Sequence, residues 1–183
     1  MNKIYCKEVK RMFCVGDKIL YGGSGACVIE SIEMLRFGRM REQYYVLRSL
    51  FQNTAVIYVP VNNAELVSKM REMPTKEAVD RLIEWIPDAD SVWIDDAQAR
   101  KTCFEQIMRN GTCSDRICLI RTLFLHKRSR LSEGKNLHVS DENFLRDAKK
   151  LLCDEFAYPL QLEPSQVLDY MRSKLNLNTK NVS

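Results

Sequence analysis

Glycine and proline are scarce in this 183-residue chain, at 7 and 5 residues, which excludes collagen-like repeats and a low-complexity coil. No long apolar run occurs: the longest, Ala55 to Val61, is far short of the roughly 20 residues that a bilayer-spanning helix requires. The stretch Met1 to Arg11 is charged throughout and lacks the apolar core and small-residue cleavage site of a secretory signal. A cytoplasmic protein is expected. Histidine is limited to His126 and His138, and none of the seven cysteines (6, 14, 27, 103, 113, 118 and 153) stands in a Cys-x-x-Cys pair. Neither a metal nor a cofactor is expected, and an odd cysteine count without a secretory signal implies reduced thiols.

Catalytic patterns are missing as well. The loop Tyr21-Gly-Gly-Ser-Gly-Ala26 lacks the Lys and Ser/Thr ending of a phosphate-binding loop and leads into a strand, so it reads as a hairpin turn. No nucleophile motif surrounds any Ser or Cys. The acidic pairs Asp95-Asp96 and Asp154-Glu155 fit helix amino termini or exposed helix faces better than carboxylates held across a cleft. No enzymatic activity is expected.

Present instead is an uneven charge. The net charge is only +4, yet residues 73–98 hold two Lys/Arg against seven Asp/Glu, and residues 99–135 hold nine against three. Clustered rather than average charge draws a protein to phosphate, so Arg100 to Lys135 is the candidate phosphate-facing block. A solvated helix face is the plain alternative.

Two periodicities divide the chain. Short β-branched and aromatic runs (Phe13 to Val15, Lys18 to Tyr21, Ala26 to Ile32, Gln43 to Arg48, Val56 to Val61), broken by Gly16-Asp17, Gly22 to Gly25 and Gly38, predict a small β-barrel or strongly bent sheet. After Met73-Pro74 the period becomes helical. Thr75 caps a helix carrying Val79, Leu82, Ile83 and Ile86 and ending at Pro87. A second helix runs from about Asp95 to Arg109 and stops at Asn110-Gly111. A third, capped by Ser114, carries Arg116, Arg121, Lys127 and Arg128 largely outward. Ser140 caps a fourth, a short fifth follows Pro164, and Asn176 to Ser183 frays. Trp93 lies between two predicted helices and off any helical stripe. It is either a core plug or an exposed wedge of the kind that minor-groove proteins insert at a base step.

Taken together, Met12 to Tyr21, Gly25 to Glu33, Tyr44 to Leu47, Val59 to Ala64 and Trp93 resemble the CarD family of bacterial transcription regulators. Leu131-Ser132, Glu142, Leu145, Ala148, Leu152 and Glu155 resemble the family's closing helices. The resemblance implies an α+β protein with four parts: an extension (residues 1–11), a Tudor-like small β-barrel that binds the β subunit of RNA polymerase (12–72), a C-terminal all-α helical bundle that touches promoter DNA (73–176), and a disordered tail (177–183). The transcription-repair coupling factor shares the same β-domain type, but the short helical part without helicase motifs favours the CarD-like regulator.

By that resemblance the polymerase contact falls around Leu35, Arg36, Phe37 and Tyr58, with Tyr58 where some relatives carry arginine. Trp93 would wedge at the upstream edge of the transcription bubble, with Arg100, Lys101, Arg121, Lys127 and Arg128 on phosphates. Asp95 and Asp96 depart from the basic residues that some relatives place after the tryptophan, and carboxylates there would weaken DNA binding. DNA recognition is expected to be largely sequence-independent, with the protein nucleoid-associated through polymerase. Two other readings remain open: an adaptor that binds polymerase or another protein without productive DNA contact, and a thiol-based redox sensor, which requires an exposed thiol of low pKa.

Overall fold

The structure, a computed structural model, describes residues 13–51 and 56–180. Five antiparallel strands, β1 (Lys18–Tyr21), β2 (Ala26–Phe37), β3 (Met40–Ser49), β4 (Ile57–Pro60) and β5 (Met70–Glu72), form one sheet in the order β4-β3-β2-β1-β5. A one-turn helix α1 (Ala64–Val67) joins β4 to β5, and five longer helices follow: α2 (Lys76–Trp85), α3 (Ala97–Asn110), α4 (Cys113–Ser132), α5 (Val139–Leu160) and α6 (Pro164–Lys180). The chain is therefore α+β, as expected.

The expected barrel does not close. Among the described residues β4 and β5 stand at opposite edges and do not pair. Two physical reasons are visible. The edge strands are only four and three residues long, and β2 and β3 form a long hairpin that runs past the core, with a register shift between Ile29 and Ser31 that bends the strand. Gly38 turns the hairpin at φ 65°, a backbone angle that favours glycine. The expected strand at Phe13 to Val15 is instead a turn, in which Asp17 Oδ2 accepts from the Cys14 N–H at 2.9 Å. The three-residue β5 was too short to be legible in advance.

The sheet and the helices share a core because β1 alternates its side chains. Ile19 enters a cluster within the sheet with Cys27, Ile29, Leu47 and Val59. Leu20, with Ala26, enters the helical core beside Val79, Ile83, Ile117 and Phe156. The period of two thus serves two cores at once. The Gly22–Ser24 turn sits against the carboxyl end of α3, where a Cβ on Gly22 would lie 2.9 Å from the Arg109 carbonyl oxygen. Only glycine allows that approach, and the loop is a hairpin turn as expected.

Helix caps account for the boundaries. Thr75 Oγ1 accepts from the Ala78 N–H, and Asp96 Oδ1 accepts from the Ala99 N–H. Thr112, rather than Ser114, caps α4 through a reciprocal pair with Asp115, and His138, rather than Ser140, caps α5. Helix α6 continues through Lys180, so residues 177–180 of the expected tail are helical. Residues 181–183 and the 1–11 extension lie outside the described residues. Among the described residues, no helix is long and apolar enough to cross a membrane.

Candidate functional site

Two exposed regions carry the expected site residues. The first is the outer face of the β2–β3 hairpin and β4. Phe37 and Tyr58 are 51% and 45% exposed, large values for aromatic side chains on a sheet. Their ring centroids lie 5.4 Å apart, and Tyr44 meets Phe37 at 5.1 Å, both edge-on. Successive strand side chains point to opposite faces, so Leu35 shares the Phe37 face while Arg36 takes the other, bonding the Gly38 carbonyl oxygen at 3.2 Å. The fold thus gathers Leu35, Phe37 and Tyr58 and leaves Arg36 apart. Tyr44 joins the patch and was missed from the sequence; its signal was the cross-strand parity that aligns it with Phe37. Among the described residues no strand covers the outer edge of β4.

The second region surrounds Trp93, which packs half-buried against the Phe104–Leu123–Leu145 cluster. Its indole stacks on His126 of α4, centroids 3.5 Å apart and planes 13° from parallel. The Arg100 guanidinium lies 4.4 Å from the indole centroid. Burial, reinforced by the positive charges of Arg130 and Arg100, holds the His126 pKa below its ordinary value. The stacked imidazole is therefore neutral at pH 7. Beside the indole, Val92 is 72% exposed, and its N–H donates to Thr122 Oγ1.

Arg100 does not stand on a phosphate-facing surface. It is 9% exposed, donates to the carbonyl oxygens of Ile94 and Asp95 at 2.7 and 3.1 Å, and pairs with Asp141 at 3.3 Å. A cation so placed clamps the Trp93 segment to α5, with four of its five N–H donors engaged. Arg116 is also not outward: it is fully buried and bound to Glu155. Both positions read as surface from periodicity, because a buried arginine and a solvated one occupy similar sequence patterns.

The other expected cations divide. Lys101 is exposed 4.0 Å from Glu105, and Lys127 pairs with Glu142 at 2.7 Å. Arg121 and Arg128 are seven residues apart and so share one face of α4; at 100° per residue, Arg128 points to the opposite side from His126. They line a cleft beside α6 rather than the Trp93 surface. Arg130, one turn after His126, is the cation on the Trp93 side, and its spacing of four from His126 was the available signal. Asp96 caps α3, while Asp95 is exposed.

Burial pushes the thiols of Cys27, Cys113 and Cys153 up to about 11, 12 and 11, away from the reactive range. Among the described residues no group of His, Cys, Asp and Glu could hold a metal ion.

An open antiparallel sheet that exposes Phe37 and Tyr58, joined through a shared core to a set of helices, makes this an α+β protein. Residues 13–71, which contain Leu35, Phe37, Tyr44 and Tyr58, match the family model described as CarD-like/TRCF RID domain. Over 144 residues it is 26% identical to a protein of Bacillus subtilis (strain 168) named "Putative transcription factor YdeB", a match covering 79% of this chain and 90% of that protein.

Proposed function

We propose that the chain is a transcription regulator that docks on the β subunit of RNA polymerase through its sheet and modulates promoter open-complex stability through its helical part. The observation that carries this reading is the Phe37–Tyr58 pair, exposed on an open sheet within the matched segment and backed by the buried Tyr44 ring. Exposed aromatics clustered with Leu35 supply an apolar anchor, and the outer edge of β4 supplies main-chain groups for pairing with a partner strand. Tyr58, in place of arginine, makes this contact apolar rather than ionic.

Trp93, with Val92 beside it, supplies the apolar wedge at the upstream bubble edge. Insertion at a base step favours distorted duplex, and Lys101, Lys127 and Arg130 supply the nearby positive charge. Arg100 acts on the wedge indirectly, by holding the segment that carries it. The role of the chain is binding, with DNA shape and backbone as the recognised features.

A second reading, an adaptor without productive DNA contact, is favoured by one observation: His126 and Arg100 already engage the Trp93 ring, so wedging requires the exposed remainder of the indole or its release. The lifetime of an open complex formed with cognate polymerase tests both readings. Wild type is expected to change the lifetime, Trp93→Ala to lose that effect while still binding polymerase, and Phe37→Asp to lose polymerase binding itself. If wild type binds polymerase without altering the lifetime, the adaptor reading replaces the DNA reading.

A further inference from the structure

Helices α4 and α6, with Ile86 and part of α5 beside them, enclose an open cleft of about 430 Å3. Its floor is apolar: Ile117, Ile120 and Phe124 come from α4, and Leu168, Met171 and Leu175 from α6. Phe124 and Leu168 remain 47% and 37% exposed. The volume falls in the range of about 300 to 1,000 Å3 typical of small-molecule sites, which often lie between packed helices.

The rim is cationic. Arg121, Arg128, Lys149 and Arg172 surround the floor, and only Arg172 is paired with a carboxylate among the described residues, with Asp169 at 2.7 Å. Arg121 donates one bond, to the Ile86 carbonyl oxygen, and its Nε is buried without a hydrogen-bond partner. Three cations thus border an apolar floor with no carboxylate among them.

We propose that this cleft binds an amphipathic organic anion, one acidic head group on an apolar body of roughly a dozen carbons, a size suited to such a cleft. The head meets Arg121, Arg128 and Lys149, and the body covers Ile120, Phe124 and Leu168. Charge selects against the other occupants. The segment Met1 to Arg11 carries four Lys/Arg against one Glu and is repelled by the rim. A second copy joined by two-fold symmetry through this face would set cations against cations. A partner helix finds little length, since Leu168 to Leu175 spans about 10 Å, or two turns. This site is independent of the polymerase and DNA contacts proposed above.

Titration with dodecanoate, followed by the methyl NMR signals of Ile117 and Ile120, tests the assignment, with dodecanol as the uncharged control. Saturable one-to-one binding is expected in wild type, weakened about fivefold by Lys149→Gln, as removal of one partly exposed charge implies. Leu168→Arg, at an exposed position, is expected to abolish it, and dodecanol to bind at least about tenfold more weakly, the head group being worth at least one charge-assisted contact. Thermal melts of both variants establish that they remain folded. Absence of saturation, equal binding of dodecanol, or undiminished binding by folded Leu168→Arg overturns the proposal. Tighter binding of a glutamate-rich amphipathic peptide at the same methyls would assign the cleft to a partner helix, and a dimer abolished by Leu168→Arg would assign it to a second copy; either overturns it too.

Discussion

The guanidinium of Arg116 and the carboxylate of Glu155 meet 3.0 Å apart inside the protein, with neither side chain exposed. The pair joins the two halves. Arg116 Nη2 also donates to the Gly22 carbonyl oxygen in the β1–β2 turn, and Arg71 of β5 reaches Glu155 at 3.6 Å. Burial pushes the Glu155 carboxyl above its ordinary pKa despite the attraction of Arg116 and Arg71. Desolvation thus outweighs that attraction at the carboxyl, and a buried ion pair of this kind costs most when one partner alone is removed.

That balance predicts a double-mutant cycle. Arg116→Met alone should destabilise by about 3–5 kcal/mol, because it leaves the buried Glu155 without its main partner. Arg116→Met with Glu155→Leu should recover most of that loss. Urea unfolding of the four proteins measures the coupling, and additive effects would remove the network from the account.

Asp80 predicts a pH dependence. Burial alone would raise its pKa, but the Tyr170 hydroxyl at 2.7 Å and Lys174 at 3.3 Å hold it below the ordinary carboxylate value. A carboxyl with a lowered folded-state pKa stabilises above its unfolded pKa and loses that contribution as pH falls through the folded value. Asp80→Asn should thus cost about 1 kcal/mol at pH 7. The gap to wild type should close as pH falls through and beneath the ordinary Asp value of about 3.9; melting curves across that window measure it.

His126 should titrate below the ordinary histidine value of about 6.5. Removing the positive charge of Arg130 with Arg130→Gln should move the midpoint upward, while leaving most of the burial effect in place. The imidazole proton signals in NMR report the midpoint directly. A midpoint at or above the ordinary value would show that the Trp93–His126 stack is not populated in solution.

Thiol reactivity follows burial. At pH 8, Cys27, Cys113 and Cys153 should resist alkylation in the native protein and react once it is unfolded in guanidinium. Peptide mass spectrometry assigns each site. Fast labelling of any of the three in the native state would reopen the redox-sensor reading.

Mutation of the aromatic patch should separate binding from stability. Tyr58→Asp changes an exposed side chain, so its melting temperature should stay within about 2 °C of wild type, corresponding to at most about 1 kcal/mol for a chain of this size. Affinity for the polymerase β subunit should fall at least about tenfold if the ring is an anchor. Surface plasmon resonance beside a thermal melt gives both numbers.

Local pattern alone determined a good deal. Strand β1 from Lys18 to Tyr21, the Thr75 cap, the stop at Pro87 and the Gly111 helix end are all effects of neighbouring residues, and each stands where periodicity or capping chemistry put it. The order and spacing of Met12 to Ala64 also carried the CarD resemblance. Tertiary structure decided what local pattern does not encode. Closure of the sheet depends on whether its two distant edges meet, and among the described residues they do not. Arg100 and Arg116 turned inward because Asp141 and Glu155, 41 and 39 positions away, offered partners that solvated arginines lack. The same long-range packing set Trp93 on His126 and parted Arg121 and Arg128 from that surface. Helix and turn preferences are short-range free energies legible within a few residues, whereas the burial of a charge depends on which distant groups the completed fold brings to it.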